Sequence, residues 1–368
     1  MILSDKTLNP VAEKVMSNQR INQDDALRLF RSNDIISIGR LADYRLKSEN
    51  NLPDEVYYSY NLNINPTNIC ELRCKLCAFS KSAGEAGAYE LKLSEMIDSA
   101  KMLAHLNPDE HLEVHIVGGL HAPYNLDFYE KLLSEIKAID KKMSIQAFTA
   151  VEIDYMAKKS GTDIKTTLKR LKEAGLDAMP GGGAEIFSDR TRKDICEKKI
   201  SGEKWLAIMK EAHELNIPTN ATMLYGHIET DQERVEHMKR LRDLQDETGG
   251  FKSFVPLSFH ESNTRVKKSR CNTGFDDLKV LAIARIFLDN FQNIKALHNT
   301  LGLKFAQIAL FYGANDLGGT AYDEKIIKAA GALADNGIVE NDIITIIKAA
   351  GKIPVRTDSA YLIKNRRA

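Results

Sequence analysis

The sequence predicts an α/β fold: a parallel (β/α)8 barrel of TIM type, complete or partial, with helical N- and C-terminal extensions. Two observations carry this. From residue 60 to about 320, apolar, β-branched runs alternate with amphipathic helical stretches, the pattern of a parallel sheet wrapped by helices. Eight such runs occur, the number that closes a barrel.

In chain order, residues 1–55 read as a helical cap, with amphipathic stretches at 24–30 and 36–46. Strands are expected at 62–65, 112–117, 144–149, 176–179, 219–224, 251–257, 294–297 and 308–311. The helix expected at 203–215 aligns Trp205, Ile208, Met209, Ala212 and Leu215 in one apolar stripe, the face a helix turns toward a sheet. Residues 56–320 are thereby assigned to the barrel. Residues 321–368 read as a C-terminal helical extension whose pattern ends at Gly351.

Bulk properties exclude several classes. Lys and Arg number 51 and Asp and Glu 51, so no broad field attracts nucleic acid or an anionic membrane. No stretch of 18 apolar residues occurs, and membrane insertion is not expected. The first residues, MILSDKTLNP, lack the apolar core of a signal peptide. With unpaired cysteines, this makes the cytoplasm the expected compartment.

Three of the five cysteines, Cys70, Cys74 and Cys77, lie in the run NICELRCKLCAFS. Their i, i+4, i+7 spacing also matches one helix face, where cysteine packs as a small apolar residue. The preceding Asn65-Pro66-Thr67-Asn68 reads as a loop, because proline disfavours helix in the residue before it. Structural zinc takes four ligands, commonly two C-x2-C pairs, and no second pair is present. Three thiolates suit a 4Fe–4S cluster that leaves one iron open to a small molecule.

The C-x3-C-x2-C run resembles the cluster-binding signature of the radical S-adenosylmethionine (SAM) superfamily, with Leu76 where that superfamily usually has an aromatic. The resemblance implies that SAM chelates the open iron. One electron then cleaves it to methionine and a 5′-deoxyadenosyl radical. The protein's share is positioning and the exclusion of water and oxygen.

Site residues are expected where strands end, because a (β/α)8 barrel keeps its active site on those loops. Gly118 and Gly119 follow the second strand, where the superfamily has a glycine pair against the SAM amine; a plain turn reads as well. Glu152 closes the third strand and is a candidate acceptor for ribose hydroxyls, or a solvated loop acid. Gly182, within Gly181–Gly183, and Glu185 are candidates for contact with cofactor or substrate. Arg192 is a candidate for a substrate carboxylate, against the alternative of an exposed side chain. His227 and His260 are candidates for acid, base or hydrogen-bond donor, or for structural histidines. Cys196 and Cys271 read as incidental.

Longer strings narrow the resemblance. AFTAVEI (147–153), PGGGAEIF (180–187), TNATMLYGHIET (219–230), LQDETGGFKSFVPLSFHESNT (244–264), GANDLGGT (313–320) and AGKIPVRTDSAY (350–361) resemble the aminofutalosine synthases over nearly the whole chain. That family's FHPENT stands here as FHESNT, with Glu261 and Ser262 replacing Pro-Glu. The resemblance implies an enzyme of the futalosine route to menaquinone. Its adenosyl radical would add to the vinyl carbon of 3-[(1-carboxyvinyl)oxy]benzoate rather than abstract hydrogen. Rearrangement onto the ring and loss of CO2 or bicarbonate would give 6-amino-6-deoxyfutalosine. A flavodoxin- or ferredoxin-type electron donor is implied. Dehypoxanthine futalosine cyclase and the deazaflavin-cofactor synthases share parts of these strings. A non-catalytic iron–sulfur carrier is the reading from another class, although a carrier normally supplies four ligands.

Overall fold

The computed structural model describes residues 3–49, 54–106, 111–268, 271–332, 337–362 and 364–367. Residues 1, 2 and 50–53 of the expected cap, and 333–336, 363 and 368 of the expected extension, lie outside them.

Eight parallel strand positions form a ring. Strands β1 (Glu55–Ser59) and β2 (Asn61–Ile64) are one wall strand broken at Tyr60. The ring continues through β3 (Glu113–Ile116), β4 (Ser144–Ala147), a bridge at Ala178 and Met179, β5 (Thr219–Tyr225), β6 (Phe251–Ser258), β7 (Asn293–Ile294) and β8 (Asp316–Gly319). Closure is explicit in the backbone. Ala296 N–H donates to Asp316 O at 2.8 Å, Tyr322 N–H to Asn61 O at 3.1 Å, and Asn63 N–H to Tyr322 O at 2.8 Å. The barrel is complete.

Strand residues alternate between the helix layer and the lumen. Leu62, Ile64, Val114, Ile116, Ile145, Ala221 and Met223 enter the apolar core. Their neighbours Asn61, Asn63, His115, Gln146, Asn220 and Thr222 line the barrel interior. The helices between strands begin at side-chain caps. Thr149 with Glu152, Thr230 with Glu233 and Thr273 with Asp276 each form a reciprocal capping box.

Three expectations need correction. The eighth strand is not 308–311: the helix Leu303–Ala309 runs into that stretch, with Ile308 and Phe311 about half exposed. The true strand, Asp-Leu-Gly-Gly, carries little β signal because Gly319 lies against its neighbour. A Cβ there would sit 1.9 Å from Asn61 Oδ1. Residues 176–179 and 294–297 contribute only bridge-length pairings, and Thr149 caps a helix instead of ending a strand. The C-terminal stretch is not wholly helical. After the helix Glu340–Ala349, β9 (Ile353–Thr357) pairs parallel with β1, and β10 (Lys364–Arg366) pairs antiparallel with β9.

The N-terminal helices Asn9–Met16, Gln23–Arg31 and Ile35–Glu49 lie outside the barrel. They are tied to it where Arg242 Nη1 donates to Ile21 O at 3.0 Å and Arg20 bridges Asp246 and Asp289. Among the described residues no helix is long and apolar enough to cross a membrane.

Candidate active site

The cysteines sit on a loop that other backbone holds open. After Pro66, Thr67 Oγ1 donates to Tyr89 O at 2.6 Å. The Asn68 side chain donates to Gly87 O at 2.8 Å and accepts Tyr89 N–H at 2.9 Å. Cys70 N–H reaches Lys81 O at 3.0 Å, and Leu76 N–H reaches Ile195 O at 3.2 Å. Arg73 takes a left-handed φ of 49° and pairs with Glu85 at 2.9 Å. Residues 70–77 form no helix, which removes the helix-face alternative.

Cys70, Cys74 and Cys77 line one open cavity at the C-terminal end of the strands, together with Gly118, Gly119, Glu152, Gly182, Glu185 and His260. Much of its remaining wall is apolar, with Leu72, Leu76, Phe79, Val151, Leu257 and Phe259. Burial pushes the Cys74 thiol up to about 11, and Lys199 pulls it the other way. Among the described residues no three His, Cys, Asp or Glu side chains gather around a single metal ion. Three thiols opening on a roomy cavity fit a cluster, whose irons sit apart.

The glycine pair is demanded by the cysteine loop itself. Gly119 N–H donates to Thr67 O at 2.8 Å, and a Cβ at Gly119 would lie 2.1 Å from Ile69 O. Any larger residue displaces the backbone next to Cys70. Glu152 stands at the third position of the helix Ala150–Ser160, not at a strand end. One carboxylate oxygen accepts Gly118 N–H at 3.0 Å. The other accepts Thr149 N–H at 2.7 Å and Thr149 Oγ1 at 2.8 Å. Burial pushes its carboxyl up to about 7 against those donors. Phe148, just before this cap, is fully buried at φ 61°, a costly conformation for a bulky residue.

Gly182 O accepts Trp205 Nε1–H at 3.1 Å, and a Cβ at Gly182 would meet Thr149 Cγ2 at 2.8 Å. Glu185 is buried and ion-paired to Lys199, which lines the same cavity. Against the push of burial, Lys199 holds the Glu185 carboxyl below its ordinary value, and Glu185 raises the Lys199 ammonium. His260 reaches the cavity wall with Nε2 3.0 Å from Thr300 O. A carbonyl only accepts, so Nε2 carries the proton and Nδ1 is left as the acceptor.

Two candidates do not reach the cavity. Arg192 is buried, not exposed, and donates to Ala184 O at 2.7 Å, to Ile186 O at 3.1 Å and to Ile200 O. It fastens the glycine run and has no face toward a substrate carboxylate. The His227 ring closes its own loop. Nε2 donates to Leu224 O at 3.0 Å, while Nδ1 lies 2.8 Å from the Ile228 amide and 3.0 Å from Glu229. Against burial, His227 and Arg234 hold the Glu229 carboxyl well below the carboxylate range.

Sequence reasoning missed Lys199, whose Cys-Glu-Lys-Lys setting reads as a solvated charge run. It also missed the lumen, although polar residues at every second position of otherwise apolar strands announced it.

Comparison with known proteins places this geometry. Residues 64–241 match the radical SAM superfamily, and residues 248–367 match the CofH/MqnC C-terminal region. An aminodeoxyfutalosine synthase from Thermus thermophilus is 42% identical over 98% of this chain and 96% of its own. That of Streptomyces coelicolor is 35% identical over 95% and 92%. A 5-amino-6-(D-ribitylamino)uracil–L-tyrosine 4-hydroxyphenyl transferase from Methanopyrus kandleri is 40% identical over 84% of both. Among solved structures, methylornithine synthase superposes with a TM-score of 0.74 at 15% identity, over 95% of this chain and 98% of that one. The chain belongs to the radical SAM superfamily and, within it, to the family in which the aminodeoxyfutalosine synthases stand beside the 4-hydroxyphenyl transferases.

Proposed function

We propose that the chain is an aminodeoxyfutalosine synthase, joining the adenosyl group of SAM to 3-[(1-carboxyvinyl)oxy]benzoate in menaquinone biosynthesis. The observation that carries this is end-to-end similarity to such a synthase, 42% identity over 98% of the chain. When bound on Cys70, Cys74 and Cys77, a 4Fe–4S cluster supplies the electron that cleaves SAM to methionine and an adenosyl radical.

The chain's own residues do the rest. Gly118 and Gly119 let backbone close against the cysteine loop, leaving room for the methionine end of SAM. Glu152 holds the Gly118 amide in place and keeps one lone pair, on the same oxygen, for a ribose hydroxyl. Leu72, Leu76, Phe79 and Phe259 exclude water. His260 is the wall group with a free acceptor nitrogen, suited to take a proton during rearrangement. A flavodoxin- or ferredoxin-type donor in the cytoplasm is the expected source of electrons.

A second reading is favoured by the Methanopyrus relative: transfer of the 4-hydroxyphenyl group of tyrosine to 5-amino-6-(D-ribitylamino)uracil. Anaerobic incubation of the reconstituted protein with SAM and reductant separates the two. Conversion of the enol ether to aminodeoxyfutalosine supports the proposal. Conversion of tyrosine with the ribitylaminouracil instead overturns it. An intact cluster that never yields methionine would point to an electron carrier.

A further inference from the structure

The cysteine loop is a wall with two sides. Its three thiols line the cavity. Lys75, next to buried Cys74, is exposed to solvent, and Cys70 and Cys77 are partly exposed. An electron that reaches these thiols without crossing the cavity comes through the outer side of this loop.

Neighbouring segments load that side with positive charge. Arg265 N–H donates to Lys75 O at 2.8 Å, and its guanidinium donates to Arg73 O. The run Arg265-Val266-Lys267-Lys268 is thereby fastened to the cysteine loop. Cys70 N–H donates to Lys81 O at 3.0 Å, which adds a further lysine. Arg73 and Lys81 share one carboxylate, Glu85, at 2.9 and 3.2 Å. Glu71 is engaged elsewhere, by the Tyr155 hydroxyl and by Lys159 at 3.3 Å. Lys268 Nζ lies 5.5 Å from the centre of the Phe259 ring, and Phe259 lines the cysteine cavity. Lys75, Arg265 and Lys267 are exposed and form no ion pair among the described residues. The six cations of the loop and this run therefore face only Glu85 and Glu261, in a chain whose formal charge is zero.

We infer that the outer face of the cysteine loop, around Lys75, Arg265 and Lys267, docks a small acidic electron-carrier protein of the flavodoxin type. The inference rests on the cluster reading above and holds for either substrate named there. Complementary charge selects the partner, because unpaired surface cations steer and orient an acidic protein face. A carrier must also leave after each electron, and exposed, screened charges suit a small, short-lived interface. SAM and substrate belong to the cavity side, which leaves the outer side for the donor.

The test is calorimetric binding of oxidised flavodoxin to cluster-loaded protein at low ionic strength. Lys75→Glu and Lys267→Glu should each weaken binding about tenfold, with iron content confirming the loop. Loss of iron in Lys75→Glu would leave Lys267→Glu to decide. Lys141→Glu, an exposed site on the loop before β4 at the other end of the strands, should bind as wild type does. High salt should weaken binding by wild type more than by the two reversals. Methionine formation driven by reduced methyl viologen, a small cationic donor, should persist in both. Its loss in both would place the residues in the site itself and overturn the docking role. Wild-type affinity in the two reversals, or no binding by wild type, would also overturn it. Wild-type turnover of the enol ether with the viologen would then leave the proposed function standing, and its absence would overturn that as well.

Discussion

The Gly118 amide donates to the Glu152 carboxylate at 3.0 Å, tying the loop that follows β3 to the first turn of the next helix. One buried acid thereby sets two neighbouring walls of the cavity. It has a pH signature. Burial raises the Glu152 pKa from 4.5 to about 7 in the folded protein. The folded state holds a proton that the unfolded chain has already lost, so this contribution is complete below pH 4.5 and is lost as pH rises to 7. Denaturant titrations of the metal-free protein should show a decline on the order of 3 kcal/mol across that window, absent in Glu152→Gln.

Replacing Cys70, Cys74 or Cys77 by alanine should abolish the cluster and all SAM cleavage. Each thiolate would hold a separate iron of a 4Fe–4S cluster, and three is the minimum for such a site. Iron and sulfide assays check this; full occupancy in Cys74→Ala would contradict it. Cys196→Ala and Cys271→Ala should keep wild-type iron, since neither lines the cavity.

Gly119→Ala tests the close approach of backbone to backbone. With a Cβ placed 2.1 Å from Ile69 O, the cysteine loop must shift. The cost is about 2 kcal/mol, together with reduced iron retention, read from thermal melts and iron assays. Unchanged stability and iron would mean that the loop yields freely.

The Lys199–Glu185 pair lies in the field of Cys74. Removing the cation leaves an uncompensated carboxylate near Cys74, where a bound cluster would feel it. Lys199→Met should move the cluster midpoint to more negative potential, on the order of 50 mV. Glu185→Gln should move it the other way. Redox titration followed by electron paramagnetic resonance reads both shifts, and like-signed shifts would contradict the arrangement.

What the sequence disclosed and what it concealed follow from physical causes. The cysteine triad and strand-exit glycines were legible because cluster spacing and close backbone approach restrict residue choice at each position. The alternation of strands and helices was legible from its period. The eighth strand was hidden because Gly318 and Gly319 carry no propensity signal, while the apolar 308–311 stretch imitated one. Arg192 and His227 misled because residue type says nothing of direction: both turn inward to satisfy carbonyls. Lys199 was hidden because only its burial beside Glu185 separates it from an ordinary surface lysine.

The fate of the adenosyl group is read most directly with SAM labelled at the 5′ carbon. The protein is incubated with 3-[(1-carboxyvinyl)oxy]benzoate, and the products are read by mass spectrometry. Addition predicts label in 6-amino-6-deoxyfutalosine, with methionine released in step and only uncoupled traces of 5′-deoxyadenosine. Label confined to 5′-deoxyadenosine would contradict the account and mark a hydrogen-abstracting enzyme.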